Sequence, residues 1–180
     1  MVVLLALLAA CATEPVGLPP VAVTRAEDPR PLRVLFVGNS LTFYNDLPGR
    51  TAEIALRDTT LRYPDVQSVV RSGASLRQHW ALGTAQQRLE SERWDYVVLQ
   101  EGSTSILAVP ETTAVYVQRF DALAGAGGAR TVLFLTWTYG DQPQLQDSVT
   151  RVYEWVAGRA GALVAPVGVA WQLALAQQPG

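Results

Sequence analysis

Residues 32–41 read LRVLFVGNSL, and this decamer decides the fold. Six residues dominated by Val, Leu and Phe are too short for a helix and apolar at consecutive positions, as a strand buried on both faces should be. Gly38 then permits a sharp turn, and Ser40 stands at the entrance to a helix. A hydroxyl there lies near backbone N–H groups that stabilise a developing negative charge. The same residue also reads as an ordinary helix N-cap.

The pattern repeats along the chain. Residues 66–71 (VQSVVR), 95–100 (DYVVLQ), 131–137 (TVLFLTW) and 162–167 (ALVAPV) are further short runs rich in Val and Leu. Helical periodicity fills the intervals. Tyr116, Phe120 and Leu123 share one face after Pro110, and Leu145, Val149, Val152, Tyr153 and Val156 share one face after Pro143. Gly125, Gly127 and Gly128 suit a left-handed end to the first of these helices. Alternating strands and helices predict a five-stranded parallel sheet in a three-layer α/β/α sandwich of flavodoxin-like type. Strand order is not visible. Ligands of such sheets bind beyond the carboxyl ends of the strands, so the informative loops are residues 38–46, 72–75, 101–110 and 138–143.

Composition sets the outer limits. The chain has 180 residues, 49% of them apolar and 17% charged, with net charge −2. One domain with a full core is expected. The dispersed Lys and Arg residues give no basic stripe for nucleic acid. One cysteine (Cys11) and one histidine (His79) leave no internal disulfide and too few ligands for zinc, so neither metal nor cofactor is expected.

Residues 1–12 (MVVLLALLAACA) carry an apolar run too short to span a bilayer, followed by small residues, which reads as an export signal. Residues 13–31 contain Pro15, Pro19, Pro20, Pro29 and Pro31 and read as an extended tether. The domain therefore occupies residues 32–180. Leu8-Ala9-Ala10-Cys11 resembles the bacterial lipoprotein box, which implies lipidation of Cys11 and a membrane anchor. The implied location is the bacterial cell envelope, periplasmic or on the outer face. The signal lacks the usual leading Lys or Arg.

Three loops carry a further resemblance. Gly38-Asn39-Ser40-Leu41 is similar to the first block of the SGNH/GDSL hydrolases, with Asn39 where many members have Asp. Arg71-Ser72-Gly73-Ala74-Ser75 resembles the second block, although Gly73 also reads as a simple turn glycine. The series WDYVVLQ-x-x-S (Trp94 to Gln100, with Ser103), Leu133–Trp137 as LFLTW, and Ala165-Pro166-Val167-Gly168 with Ala170-Trp171 resembles a divergent branch of that family. The resemblance runs from about Leu32 to the C-terminus. It implies Ser40 as nucleophile, the Gly73 N–H and the Gln100 side chain as oxyanion donors, and Asn39, Ser103, His79 and Trp137 as substrate contacts. The preferred reading of His79 from the residues is a polar group on a helix flank, with a base for Ser40 as the lesser alternative, and Asp46 and Glu101 read as either solvated loop acids or functional groups.

Serine needs a positioned base. The family's Asp-x-x-His block does not occur in these residues, so the expectation is a fragment lacking roughly 30–50 residues at its C-terminus, a loop and a helix at ~1.5 Å per helical residue. The expected function is hydrolysis of a carboxylic ester, on an acylated carbohydrate or small molecule, through an acyl-serine intermediate. The fragment itself is expected to be inactive. A lipid-anchored binding protein that has lost catalysis is the alternative. A phosphate-binding flavodoxin-like protein ranks last, because neither phosphate-loop fingerprint is met. Oligomeric state is not legible.

Overall fold

A computed structural model describes residues 30–58 and 60–177. The expected signal, the lipidation site Cys11 and all but the end of the tether lie outside the described residues.

All five expected strands form: β1 (Leu32–Gly38), β2 (Pro64–Val70), β3 (Tyr96–Leu99), β4 (Arg130–Phe134) and β5 (Leu163–Ala165). They make one parallel sheet in the order β2-β1-β3-β4-β5. The chain leaves β1 in one direction to form β2 and in the other to form β3, so the topological switch point lies beyond the end of β1. Ser40 follows that end by two residues.

The connecting helices are α1 (Ser40–Phe43), α2 (Leu47–Ala55), α3 (Leu76–Leu82), α4 (Thr84–Ser91), α5 (Pro110–Ala126), α6 (Gln146–Ala160) and α7 (Val167–Gln177). Pro110 stands in the first turn of α5, where its missing N–H costs nothing. Gly128, just past the end of α5, takes the left-handed conformation at φ 85°, whereas Gly125 lies inside the helix.

The sheet divides its side chains by the two-residue period of a strand. Leu35, Val37, Val97, Leu99 and Leu133 face one way and pack in a large core with Leu76, Leu89, Val117, Phe120, Val149 and Tyr153 from α3 to α6. Phe36, Val98 and Phe134 face the other way, with Val34, Val66 and Val132 beside them. Among the described residues, only Leu47 of α2, Val167 of α7 and Trp137 join this second cluster from outside the strands. Between α2 and α7 a cavity of about 320 Å³ remains over Val34, Phe36, Val98, Val132 and Phe134.

Below the sheet, at the amino ends of the strands, Arg33 is held by Asp65 (2.9 Å) and Glu92 (2.6 Å) and lies over the Trp94 ring at 4.3 Å. The Glu92 hydrogen bond, with Asp65 behind it, raises the Arg33 pKa against the opposing effect of burial. This charge network sits at the end of the sheet opposite Ser40, so the two tasks are spatially separate.

Candidate active site

Ser40 opens α1 directly beyond β1. Asn39 caps the helix: its Oδ1 accepts the Leu41 N–H at 3.1 Å. The Asn39 Nδ2 donates to the Ala74 carbonyl at 3.1 Å, and the Arg71 N–H donates to the Gly38 carbonyl at 3.1 Å. These two bonds bring the loop after β2, which contains Gly73, against the loop that carries Ser40. Gly73 has φ 67°, a left-handed conformation that side-chain-bearing residues seldom adopt. Among the described residues, neither the Ser40 N–H nor the Gly73 N–H has a hydrogen-bond acceptor, and the Ser40 hydroxyl has no partner.

The third loop supports this arrangement from below. Gln100 is wholly buried. Its Oε1 accepts the Asn39 N–H at 2.8 Å and the Thr42 hydroxyl at 2.9 Å, and its Nε2 donates to the Glu101 carbonyl. The Gln100 amide, expected to face the oxyanion, is instead buried, with one of its two N–H donors on the Glu101 carbonyl and its acceptor holding the serine turn. Ser103 is buried as well, and its hydroxyl donates to the Trp137 carbonyl at 2.6 Å. It joins the loops after β3 and β4 instead of facing substrate.

His79 differs from both expectations. It is 2% exposed, neither a flank residue nor a substrate contact, and its Nε2 lies 2.8 Å from the Gly38 carbonyl. A carbonyl only accepts, so Nε2 carries the proton. Burial pushes the His79 pKa below its ordinary value, the Gly38 bond opposes that, and the nearby Arg71 charge lowers it further. A buried neutral imidazole with this nitrogen engaged is not the base for Ser40.

Asn39 is buried and bonded to Leu41 and Ala74, so its side chain builds the turn. Trp137 packs edge-on against Phe134 and tilted against Trp171, with ring centroids 6.4 and 5.5 Å away, as part of the second sheet face. Glu101, which the sequence leaves open between a solvated loop acid and a functional group, is not solvated. It is buried; its Oε2 accepts the Leu76 N–H at 3.1 Å and its Oε1 the Gly102 N–H at 2.8 Å. Desolvation raises its pKa, and the two N–H bonds oppose the rise. No local signal separates it from a solvated loop acid, because the partner at Leu76 is 25 residues away. Beside Gly73 opens a cavity of about 370 Å³ lined by Arg71, Ser72, Ala74, Gln78 and Leu82.

A serine at the switch point of a parallel α/β/α sheet, with main-chain N–H groups in its own loop and the next that lack acceptors among the described residues, defines the class: a flavodoxin-like fold with a candidate active site beyond β1. The chain belongs to the SGNH hydrolase family. It is 30% identical to a proposed SGNH hydrolase from Slackia heliotrinireducens, covering 80% of this chain and 83% of that one, with a TM-score of 0.68. The fold is also that of TesA, at 22% identity over 74% of this chain and 77% of that one, TM-score 0.58. AlinE4, an SGNH-family esterase, shares it at 16% identity over 82% and 80% of the two chains, TM-score 0.56. No family sequence profile matches the chain. No curated protein does either.

Proposed function

We propose that this protein is a serine esterase that hydrolyses a carboxylic ester of an acylated carbohydrate or small molecule through an acyl-Ser40 intermediate. The observation that carries this reading is the Ser40 turn itself. An unbonded hydroxyl stands at the switch point, and the N–H groups of Ser40 and Gly73 have no acceptor among the described residues. Oγ attacks the ester carbonyl, the two N–H groups receive the developing oxyanion, and the alkoxide leaves as the acyl-enzyme forms. Water then releases the acid and regenerates Ser40.

A base must take the Ser40 proton, and His79 is committed to Gly38. The proposal therefore assigns the base to a group other than His79. Among the described residues the second sheet face leaves Val34 and Val132 only partly covered, and the largely apolar α7 exposes Trp171, Leu173 and Leu175. The proposal further places the mature protein in the bacterial envelope, anchored by lipid on Cys11. Leu8-Ala9-Ala10-Cys11 is what supports it.

The test is labelling of the full-length protein, as its gene encodes it, by a fluorophosphonate. Labelling that Ser40→Ala abolishes is the expected result. A folded protein that stays unlabelled would overturn the catalytic reading in favour of the lipid-anchored binding protein.

A further inference from the structure

We infer that His79 and Gln100 are a pair of positioning residues that clamp the Ser40 turn from two different elements, an inference that rests on Ser40 being the nucleophile. The turn must leave the sheet at Gly38 and aim a hydroxyl within two residues, so its main chain departs from the ladder while still inside the molecule. Departing main chain leaves polar groups whose burial is costly unless each finds a hydrogen-bond partner. Two side chains, rather than water, meet those groups here.

On the β3 side, the last main-chain rung is the Gln100 N–H to the Val37 carbonyl at 2.9 Å. At the next rung the Asn39 N–H donates to the Gln100 side chain at 2.8 Å, not to a strand carbonyl. The same Oε1 takes the Thr42 hydroxyl at 2.9 Å, so one amide oxygen holds residues on both sides of Ser40. On the helical side, the Gly38 carbonyl accepts the Arg71 N–H at 3.1 Å, as the β2 neighbour should provide, and then His79 Nε2 at 2.8 Å. The second lone pair of that carbonyl is thus fixed from α3.

Neither side chain is accessible to substrate, since both are buried. Both act on the reaction only through the turn between them. Gly38 records how tight the clamp is: a Cβ there would stand 2.5 Å from Thr42 Oγ1 and 2.6 Å from Gln100 Oε1. Buried hydrogen bonds of this kind hold the turn in one arrangement. A misplacement of about 1 Å at a reacting atom costs on the order of 10²-fold in rate. That is the effect the clamp prevents.

The test compares His79→Leu, which removes the donor, with His79→Gln, whose amide nitrogen can reach the place of the imidazole Nε2. Gln100→Met removes the other arm. In the full-length protein, His79→Leu and Gln100→Met are expected to slow fluorophosphonate labelling of Ser40 by about 10²-fold. On a short-chain nitrophenyl ester they lower kcat with KM unchanged, and His79→Gln recovers most of the rate. Amide hydrogen exchange at Asn39 accelerates in the two disrupted variants and not in His79→Gln. Wild-type labelling in His79→Leu, or no recovery in His79→Gln, overturns the inference. If His79→Leu does not fold, His79→Asn, whose amide stops short of Gly38, takes its place against His79→Gln with the same ranking required. An unlabelled wild-type protein would instead defeat the nucleophile reading. The clamp is then decided by Asn39 exchange alone, accelerated if it exists and unchanged if it does not.

Discussion

Gly38 has no room for a methyl group, because the Thr42 hydroxyl and the Gln100 amide oxygen close over it. Gly38→Ala is expected to destabilise the protein by about 1–3 kcal/mol, the usual cost of overpacking, which urea unfolding measures. Glu101 and His79 make stability depend on pH in opposite directions. The folded state holds the Glu101 proton above the ordinary 4.5, so above that pH it binds more protons than the unfolded chain. Stability from this group therefore falls as pH rises from 4.5 through the raised folded value. His79 binds its proton less readily folded than unfolded, so its contribution falls as pH drops below the ordinary 6.5. Denaturation midpoints across this range should lose the first slope in Glu101→Gln and the second in His79→Gln. Unchanged slopes would place the titration elsewhere.

At the scale of one element, α3 has seven residues, too few to persist alone in water. Its order comes from its ends and one buried face. Ser75 and Gln78 form a reciprocal capping box, Glu101 receives the Leu76 N–H, and Gly83 closes the helix at φ 77°. His79 hydrogen-bonds α3 to the Ser40 turn at the Gly38 carbonyl. Ser75→Ala is expected to cost about 1 kcal/mol. Because the cap fixes the start of the helix that carries His79, labelling of Ser40 in the full-length protein should slow as well. The Ser-x-x-Gln spacing is visible in the sequence as a helix start. That the helix delivers a buried histidine to Gly38 is not, since the two residues are 41 positions apart.

Across the whole molecule, the sheet is packed unequally on its two sides. Val97 and Val98 are neighbours in β3 that face opposite ways; Val97 is enclosed by α3 to α6, and Val98 lies under the cavity beside Phe36 and Phe134. Val97→Ala removes two fully packed methyl groups and is expected to cost about 2–3 kcal/mol. Val98→Ala loses fewer contacts and should cost about half as much in this chain. Both are read from chemical denaturation. In a chain carrying a segment that covers the second face, the two costs should converge, so the pair of substitutions also reports whether that face is filled.

The strands were legible because buried parallel strands are short apolar runs, a property of adjacent residues. The strand-to-helix turn at Ser40 was legible because Gly38 and Ser40 follow β1 at once. The roles of Gln100, His79, Ser103 and Glu101 were not. Each is a polar side chain in or beside a loop, and sequence distinguishes a solvent-facing amide, imidazole, hydroxyl or carboxylate from a buried one only through its partner. Those partners lie at Asn39, Gly38, Trp137 and Leu76, between 25 and 61 residues away. Sequence alone determined the strands, the parallel α/β class and the serine at the end of β1. Tertiary structure decided the strand order and which polar groups hold the serine turn, because a hydrogen bond in a buried site depends on which chain segments the fold brings within about 3 Å of one another.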